Sequence, residues 1–531
     1  MHRSALHRKT KVSFTILLTV ALVWNTLVWI PLSVSALEPT EQDLQSQEGG
    51  VITQDIEGDG SDINIEGDGS GTDIEGDGSG TGPEVQTPEL FSDGSQLPDT
   101  TKETQRTEIN VPFCPLPDLI PDLKDYLFDI YDYKEAGFDS PGAYDLIITE
   151  NQESDDNKTH PTIEIKSGYD VLLKGQEGNE TLTSKANILF TVKDGGTLTI
   201  SNLTLDGNRK QTLIQVEKGG TLILKDGATL KNCYSSAICN EGTLYMYGGL
   251  ITGNDMQQDR EYAGNGGVFN GAEAEFIMYG GSISKNGRMG NEADRNDHVY
   301  TDQGYAGGVT NLGTFTMTGG EIRGNGCYSN AKVKGAGGVN NLGTFTLKGK
   351  GIIAENSTTI VGDVGGVYNS KGAKFTLAEN AEIRGNVAQL SGGGVYNDGT
   401  FIMDGGTIKE HKVTQFGGGV YNSVDGTFEM NNGLITENEA MGESTTALNS
   451  STGGGVFNSG IFNMHGGEIS YNTAAKGGGI QSGIDVAFTG GRAEATFTMD
   501  GGLITHNTAT ANGGGLFVYT RSVATITAGR I

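Results

Sequence analysis

A repeat of glycine and asparagine runs through most of this chain, and it is the feature that most restricts how the chain can fold. Each copy reads Gly-Gly-Val-x-Asn, then Gly-Thr-Phe-Thr-Met after a short gap, then Gly-Gly-x-Ile-x-x-Asn. The clearest copy spans residues 393–408. The first asparagine of the repeat recurs at Asn240, Asn270, Asn311, Asn341, Asn369, Asn397, Asn422 and Asn458. Successive asparagines lie 25 to 41 residues apart, so the copies differ by insertions.

Each repeat contains three short runs in which apolar and polar residues alternate, which predicts three β-strands with one buried face. No single repeat can bury that face alone, so equivalent strands must stack in parallel on the neighbouring repeats. In the middle strand, the inward positions are expected to be Phe315/Met317, Phe345/Leu347, Phe401/Met403, Phe428/Met430, Phe462/Met464 and Phe497/Met499. We expect the recurring asparagine to lie at a turn, with its amide bonded to the same asparagine of the next coil.

The predicted fold is therefore all-β: a single-stranded parallel β-helix, or solenoid, over residues 161–531. Degenerate copies near Ile188 and Ile214 bring the total to about twelve coils. Right-handed winding is expected, because crossovers between parallel strands are almost always right-handed. The last copy ends at Gly529-Arg530-Ile531, in the middle of an expected strand and without a polar cap. We therefore expect the array to be truncated at its C-terminus.

Charge and composition separate the repeats from the segments that precede them. Residues 37–160 carry 31 acidic and five basic residues, whereas the whole chain has a net charge of −30. Residues 37–109 are rich in Gly, Asp and Ser and are expected to form a disordered acidic linker before the solenoid. Residues 110–160 are richer in aromatics and are expected to be a small lead-in that packs on the first repeats. Nucleic acid is excluded as a partner, because no basic surface is available to neutralise its phosphates.

The first 36 residues have the features of a signal peptide. Four basic residues precede an apolar run from Val12 to about Ile30, and Val34-Ser35-Ala36 fits a cleavage site for small residues. An uncleaved membrane anchor is the alternative. Cleavage places the mature chain outside the cytoplasm, secreted or on a bacterial cell surface, with no transmembrane span in the chain as given.

Two features of the sequence raise the question of metal ions and disulfides. In the linker, Asp73, Glu75 and Asp77 alternate as in a calcium loop, but three short copies without flanking helices favour a spacer over a Ca²⁺ site. We expect no other metal site and no cofactor. Cys233 and Cys239 are six positions apart in an exported chain, so a disulfide between them is one option.

The repeats resemble those of bacterial right-handed β-helix surface proteins in the pectate-lyase-like superfamily. They are also similar to the repeats of polymorphic membrane protein passengers, which are adhesin-like. The resemblance covers roughly residues 160–531. It implies the fold, but it leaves the activity open, because lyases, hydrolases and adhesins share this architecture.

An aromatic stripe is the first candidate binding site. The residue after the recurring valine is expected to face outward, which gives Tyr368, Tyr396, Tyr421 and Phe457 on consecutive coils. Such a stripe can stack sugar rings or a partner's side chains. The alternative is aromatic packing between coils, which needs no ligand.

A polar column after the middle strand is the candidate catalytic site. It contains Asp404, His465 and Asp500, with Glu429 two residues earlier on a neighbouring strand. Carboxylates near a histidine can perform acid–base chemistry. Asp and Asn before glycine are also ordinary turn residues. The NTD, GHG and RIK signatures of polygalacturonase-like enzymes are absent.

Insertions between the second asparagine and the next Gly-Gly are the remaining candidate. They fall at about 255–264, 287–305, 326–335 and 439–452, with another near 483–494. Aligned loops on a rigid scaffold often carry binding, although a corner that tolerates insertion gives the same pattern. The sequence favours a structural or adhesive protein that presents loops to an extracellular glycan or protein. The alternative is a polysaccharide-active lyase or glycoside hydrolase.

Overall fold

A computed structural model describes residues 106–111, 141–153, 162–254, 266–287, 305–327, 334–358, 364–442, 451–483, 495–519 and 522–531. The predicted signal peptide, the calcium-like repeats and almost all of the predicted linker lie outside these ranges. The described residues belong to the unit Ser95–Ile531 and form strands and turns, with no helix.

The strands are stacked in parallel, in the order in which the repeats follow one another along the chain. The first strand of each coil belongs to one 13-stranded sheet, and the second and third strands belong to one 26-stranded sheet. Equivalent repeat positions pair directly, as in Val367 with Val395 and Asn369 with Asn397. This register confirms the parallel β-helix predicted from the repeats.

The first strands are Ile163–Ile165, Ile188–Val192, Thr212–Val216, Ile238–Asn240, Val268–Asn270, Val309–Asn311, Val339–Asn341, Val367–Asn369, Val395–Asn397, Val420–Asn422, Val456–Asn458, Ile480–Ser482 and Leu516–Val518. The second strands are Thr107–Val111, Ala143–Ile148, Asp170–Gly175, Thr197–Ser201, Thr221–Leu224, Thr243–Met246, Glu275–Met278, Thr314–Met317, Thr344–Leu347, Lys374–Leu377, Thr400–Lys409, Thr427–Thr436, Ile461–Met464, Thr496–Met499 and Val523–Ile526.

The third strands are Gln152–Glu153, Thr181–Thr183, Thr204–Asp206, Thr229–Lys231, Leu250–Thr252, Ser282–Ser284, Glu321–Arg323, Ile352–Ala354, Glu382–Arg384, Glu468–Ser470 and Leu503–Thr505. In two coils, the second and third strands are continuous, at Thr400–Lys409 and Thr427–Thr436. Short additional strands follow the third strand in some coils: Gly326–Cys327, Ser357–Thr358, Lys412–Val413, Glu439–Ala440, Thr473–Lys476 and Thr508–Asn512.

The stacked array extends N-terminally of residue 161, where the regular repeats begin. Thr107–Val111 pairs with Ala143–Ile148, which pairs with Asp170–Gly175. The side chain of Arg106 ties these strands together, because it bonds to the carboxylates of Asp145 and Asp170. Ladder pairing between strands therefore begins before the glycine repeats do.

The core is a set of columns that run along the helix axis. The phenylalanines of the second strands are fully buried, and their rings stack between neighbouring coils at centroid distances such as 4.5 Å for Phe276–Phe315 and 4.6 Å for Phe401–Phe428. The methionines two residues later are also buried. This confirms the alternation predicted from the sequence.

Two asparagine ladders hold the corners of the coils. In the first, each side-chain Nδ2 donates to Oδ1 of the next coil's asparagine, at 2.8 Å from Asn341 to Asn369 and again from Asn369 to Asn397. This first ladder confirms the bonding predicted for the recurring asparagine. It ends where Asn458 donates to Ser482. The second ladder runs through Asn254, Asn286, Asn325, Asn356, Asn386, His411, Asn438, Asn472 and Asn507.

The Gly-Gly motif is explained by the close approach of neighbouring coils. A Cβ atom built on Gly366 would lie 2.4 Å from the carbonyl oxygen of Gly394 in the next coil and 3.2 Å from the Asn386 side chain. A side chain therefore cannot be placed there without separating the coils. The motif provides the space that the second asparagine ladder requires.

Candidate functional site

The aromatic stripe lies on the outer face of the 13-stranded sheet, at register-matched positions. Tyr368 pairs with Tyr396, and Tyr421 pairs with Phe457. The rings of Tyr396 and Tyr421 stack at 4.3 Å, and those of Tyr421 and Phe457 stack at 5.0 Å. The four residues are thus brought together as a column, as the spacing indicated.

This column is covered rather than open. Phe457 is 0% exposed, and the three tyrosines are only partly exposed. The rings of Tyr396, Tyr421 and Phe457 are stacked along the axis and cover one another's faces, while Tyr368 meets Tyr396 edge to face at 5.8 Å. Burial raises the pKa of Tyr368, Tyr396 and Tyr421. The arrangement supports packing between coils, because a sugar ring needs an accessible aromatic face.

A lysine closes one end of the ring stack. The Lys334 Nζ lies 3.6 Å from the centroid of the Tyr396 ring and 3.2 Å from Oδ2 of Asp398. The hydroxyl of Tyr368 donates to the same carboxylate oxygen at 2.8 Å. Burial lowers the pKa of Lys334, against the opposing effect of Asp398. Sequence reasoning missed both residues as members of this cluster, although Lys334 lies in a predicted insertion.

The column continues to an amide without a partner. Asn340 pairs with Tyr368 in the sheet and is fully buried. Neither polar atom of its side chain has a hydrogen-bond partner within the described ranges. The outer face of this sheet therefore changes from aromatic to polar over one coil, and both parts are covered.

The polar column forms a chain of hydrogen bonds on the outer face of the larger sheet. His465 Nδ1 lies 2.8 Å from Asp500 Oδ1, and His465 Nε2 lies 3.4 Å from Glu429 Oε2. Asn463 donates to the other oxygen of Glu429 at 2.8 Å. The bond to Asp500 raises the pKa of His465, and Glu429 contributes in the same direction.

The fourth member of that column stands apart from the histidine. Asp404 accepts a hydrogen bond from Asn431 Nδ2 at 2.7 Å. The structure therefore brings Glu429, His465 and Asp500 together, while Asp404 belongs to a separate pair. The imidazole is 44% exposed, so a proton on it is accessible to solvent. An imidazole held between two carboxylates can carry a proton to or from a bound molecule.

The two candidate disulfide cysteines are free thiols, so the disulfide considered from the sequence is not present. Cys233 is part of the hydrophobic core. Cys239 is the outward residue of a strand in which Ile238 and Asn240 are buried. The two side chains thus lie on opposite faces of the coil wall. Burial raises the pKa of each thiol to about 12. Cys114 lies outside the described residues.

The insertions leave the coil at one corner. They connect the second asparagine ladder of one coil to the first strand of the next, so both ends of each insertion lie in stacked register. The described flanking pairs are Asn254 and Gly266, Gly287 and Tyr305, Cys327 and Lys334, Thr358 and Val364, and Gly442 and Ser451. The insertion at 484–494 follows the first strand and leaves at a different corner. Arg288, Glu292, Asp294, Arg295, Asp297, His298 and Tyr300, the polar residues of the longest insertion, lie outside the described residues.

Comparison with protein families, with curated proteins and with solved structures finds no match to this chain. Within the described ranges, no helix is long and apolar enough to cross a membrane. The same ranges contain no group of three or more His, Cys, Asp or Glu side chains arranged to hold a metal ion.

Proposed function

We propose that this chain is a secreted or cell-surface β-helix protein with a structural and adhesive role, which presents loops to an extracellular protein or glycan. The observation that carries the proposal is that the described ends of the four insertions predicted between the second asparagine and the next Gly-Gly are aligned at one corner of the coil. A signal peptide and a bacterial cell-surface location, both expected from the sequence, belong to the same proposal.

The rigidity of the scaffold supports this function. Two buried asparagine ladders and stacked phenylalanines fix the corner from which the insertions leave. Because the described ends of the insertions are held in stacked register, the insertions are presented side by side along this corner. The covered aromatic column contributes to this rigidity through packing between coils.

The test replaces loop side chains without changing loop length. Residues 443–450 are changed to alternating Gly and Ser, and residues 484–494, at the other corner, receive the same treatment as the control. Each protein is immobilised and presented with a panel of extracellular proteins and of plant, host and bacterial glycans. We expect the first variant to lose binding that the second keeps, at equal melting temperature. Absence of any bound partner in the wild-type panel would contradict the proposal.

A second candidate is a polysaccharide-active enzyme on the same fold, favoured by the Glu429–His465–Asp500 chain. Incubating the protein with the same glycans tests it, because a lyase releases unsaturated products and a hydrolase releases new reducing ends. The enzyme reading expects product that is lost in Glu429→Gln and kept in the control Glu275→Gln, which changes another carboxylate of the second strands. No product from any glycan leaves the binding function as the remaining proposal.

A further inference from the structure

The residue directly before each member of the second asparagine ladder has a left-handed backbone. Three coils place glycine there: Gly253, Gly324 and Gly385, with φ of 63°, 61° and 59°. Six coils place a larger residue at the same corner: Lys285, Glu355, Glu410, Glu437, Tyr471 and His506, with φ between 51° and 61°. The last four occupy consecutive coils.

This conformation is unfavourable for residues that carry a Cβ atom, and least favourable for bulky ones. Glycine satisfies the same corner elsewhere in the array, so the fold does not require a side chain at Glu410, Glu437 or Tyr471. A residue other than glycine at such a strained position is expected to make an interaction that offsets the cost of its backbone conformation. The contacts of these side chains show whether that interaction is made within the chain.

The two glutamates have no internal partner. Both side chains are exposed, and within the described ranges neither carboxylate makes a hydrogen bond or an ion pair. Glu355, at the same corner of an earlier coil, differs, because it accepts bonds of 2.7 and 2.9 Å from Arg323. Glu355 therefore stabilises the chain itself, while Glu410 and Glu437 leave two neighbouring negative charges free.

An exposed aromatic pair occupies the same corner position in the next two coils. The Tyr471 ring stacks on the His506 ring of the next coil at 4.9 Å and an interplanar angle of 10°. The tyrosine is nevertheless 56% exposed. Because His506 covers one face, the other face is turned toward the preceding coil, which carries Glu437. Tyr471 is thus an exposed ring one coil from Glu437 and two coils from Glu410. This contrasts with the stripe at Tyr396 and Tyr421, where both faces of each ring are occupied.

We propose that this acidic–aromatic corner, formed by Glu410, Glu437 and Tyr471, binds an arginine-bearing segment of a protein partner. A guanidinium group is planar, forms paired hydrogen bonds to a carboxylate and stacks on an aromatic ring, so it matches both parts of the corner. The inference rests on the proposed binding function and names the kind of partner. The corner lies directly before the ladder asparagines after which the insertions leave, including the insertion that begins beyond Gly442.

The test uses substitution to glycine, which removes the side chain and also relieves the backbone. The full chain and the variants Glu410→Gly, Glu437→Gly and Tyr471→Gly are titrated into a fluorescein-labelled peptide with three arginines in a Gly-Ser background. Glu379→Gly is the control: Glu379 is exposed, has a φ of 58° and lies at a different corner, so its loss matches Glu410→Gly and Glu437→Gly in net charge and all three variants in relief of the left-handed backbone.

We expect each corner variant to weaken peptide binding at least threefold, while Glu379→Gly stays within 1.5-fold of wild type. All four variants should melt at the wild-type temperature or above it. A corner with a purely structural role would instead show a lower melting temperature. Equal binding by all proteins would overturn this inference and leave the proposed function standing, because the loops could still capture another partner.

Two further binding measurements test whether a ligand other than an arginine-bearing peptide binds at this corner. The same peptide with glutamate in place of arginine should bind at least tenfold more weakly to the wild-type chain. A neutral glycan that binds more tightly than the arginine peptide, and that loses this binding in Glu437→Gly, would assign the corner to carbohydrate. Tight binding of the glutamate peptide, or binding of such a glycan, would overturn the assignment to arginine.

Discussion

His411 replaces an asparagine in the second ladder, and its ring reproduces two of the bonds an asparagine makes there. Its Nδ1 accepts from the backbone N–H of Asn386 at 2.9 Å, and Nε2–H donates to the carbonyl of Ile383 at 3.0 Å. The side chain is fully buried. Nδ1 also lies 3.2 Å from the carbonyl oxygen of Asn386. Burial lowers the pKa of His411 to about 4, against the opposing effect of the hydrogen bonds to the backbone of Asn386 and Ile383.

This histidine makes stability depend on pH in a definite direction. An unfolded histidine titrates near a pKa of about 6.5, so the unfolded chain binds the proton more readily than the folded one. The stabilising contribution is therefore complete above about pH 6.5 and is lost as the pH falls toward 4. Between pH 7.5 and 4.5, this linkage removes about 2 to 3 kcal/mol from the free energy of unfolding.

Substitution His411→Asn removes that dependence. We expect urea unfolding, followed by circular dichroism at pH 7.5 and 4.5, to show about 2 to 3 kcal/mol less loss of stability in the variant than in wild type. The carboxylates titrate in both proteins, so their contribution cancels in the comparison. His506→Asn, at an exposed position, is the control and should follow wild type. Parallel pH profiles for wild type and His411→Asn would refute the buried, neutral assignment.

Three further substitutions test the packing of the coils. Asn369→Ala interrupts the first ladder and leaves the carbonyl of Thr400 without the bond it accepts at 3.0 Å, so unfolding by urea should show a loss of about 3 kcal/mol. A change below 0.5 kcal/mol on that scale would contradict the role given to the ladder. Tyr421→Ala should lower the melting temperature while partner binding stays unchanged, and selective loss of binding would reassign the aromatic column as a ligand site. Gly366→Ala places a methyl group 2.4 Å from the Gly394 carbonyl and should cost about 3 kcal/mol by the same unfolding measurement, whereas wild-type stability would show that the coils can separate.

The fold could be predicted from the sequence because its determinants repeat. Alternation at Phe401 and Met403 indicates a half-buried strand, and recurrence of the pattern in many copies identifies the stacking partner. A solenoid pairs each residue with its equivalent in the next copy, so the sequence register is also the structural register. The bond from Asn369 to Asn397 follows directly from that equivalence.

The candidate site was harder to predict, because it depends on departures from the repeat. Lys334 directly follows an insertion and contacts the Tyr396 ring, and no repeat period relates the two positions. His411 departs from the asparagine of the repeat in the sequence, yet it occupies a position of the second asparagine ladder. Alignment of each copy on its second asparagine places His411 at the ladder position and Tyr471 directly before it. The left-handed backbone at Tyr471 is seen only in the structure.

We propose that the partner binds along the corner from which the insertions leave, away from both outer sheet faces. Hydroxyl-radical footprinting of the full chain, with and without the partner captured in the panel, tests it directly. Met441, 59% exposed beside the insertion at 443–450, and Tyr471, 56% exposed, report on the corner, while His465 reports on the face of the larger sheet. We predict that the partner protects Met441 and Tyr471 and leaves His465 as reactive as before. Protection of His465 with Met441 and Tyr471 unchanged would instead assign binding to the outer face of the larger sheet.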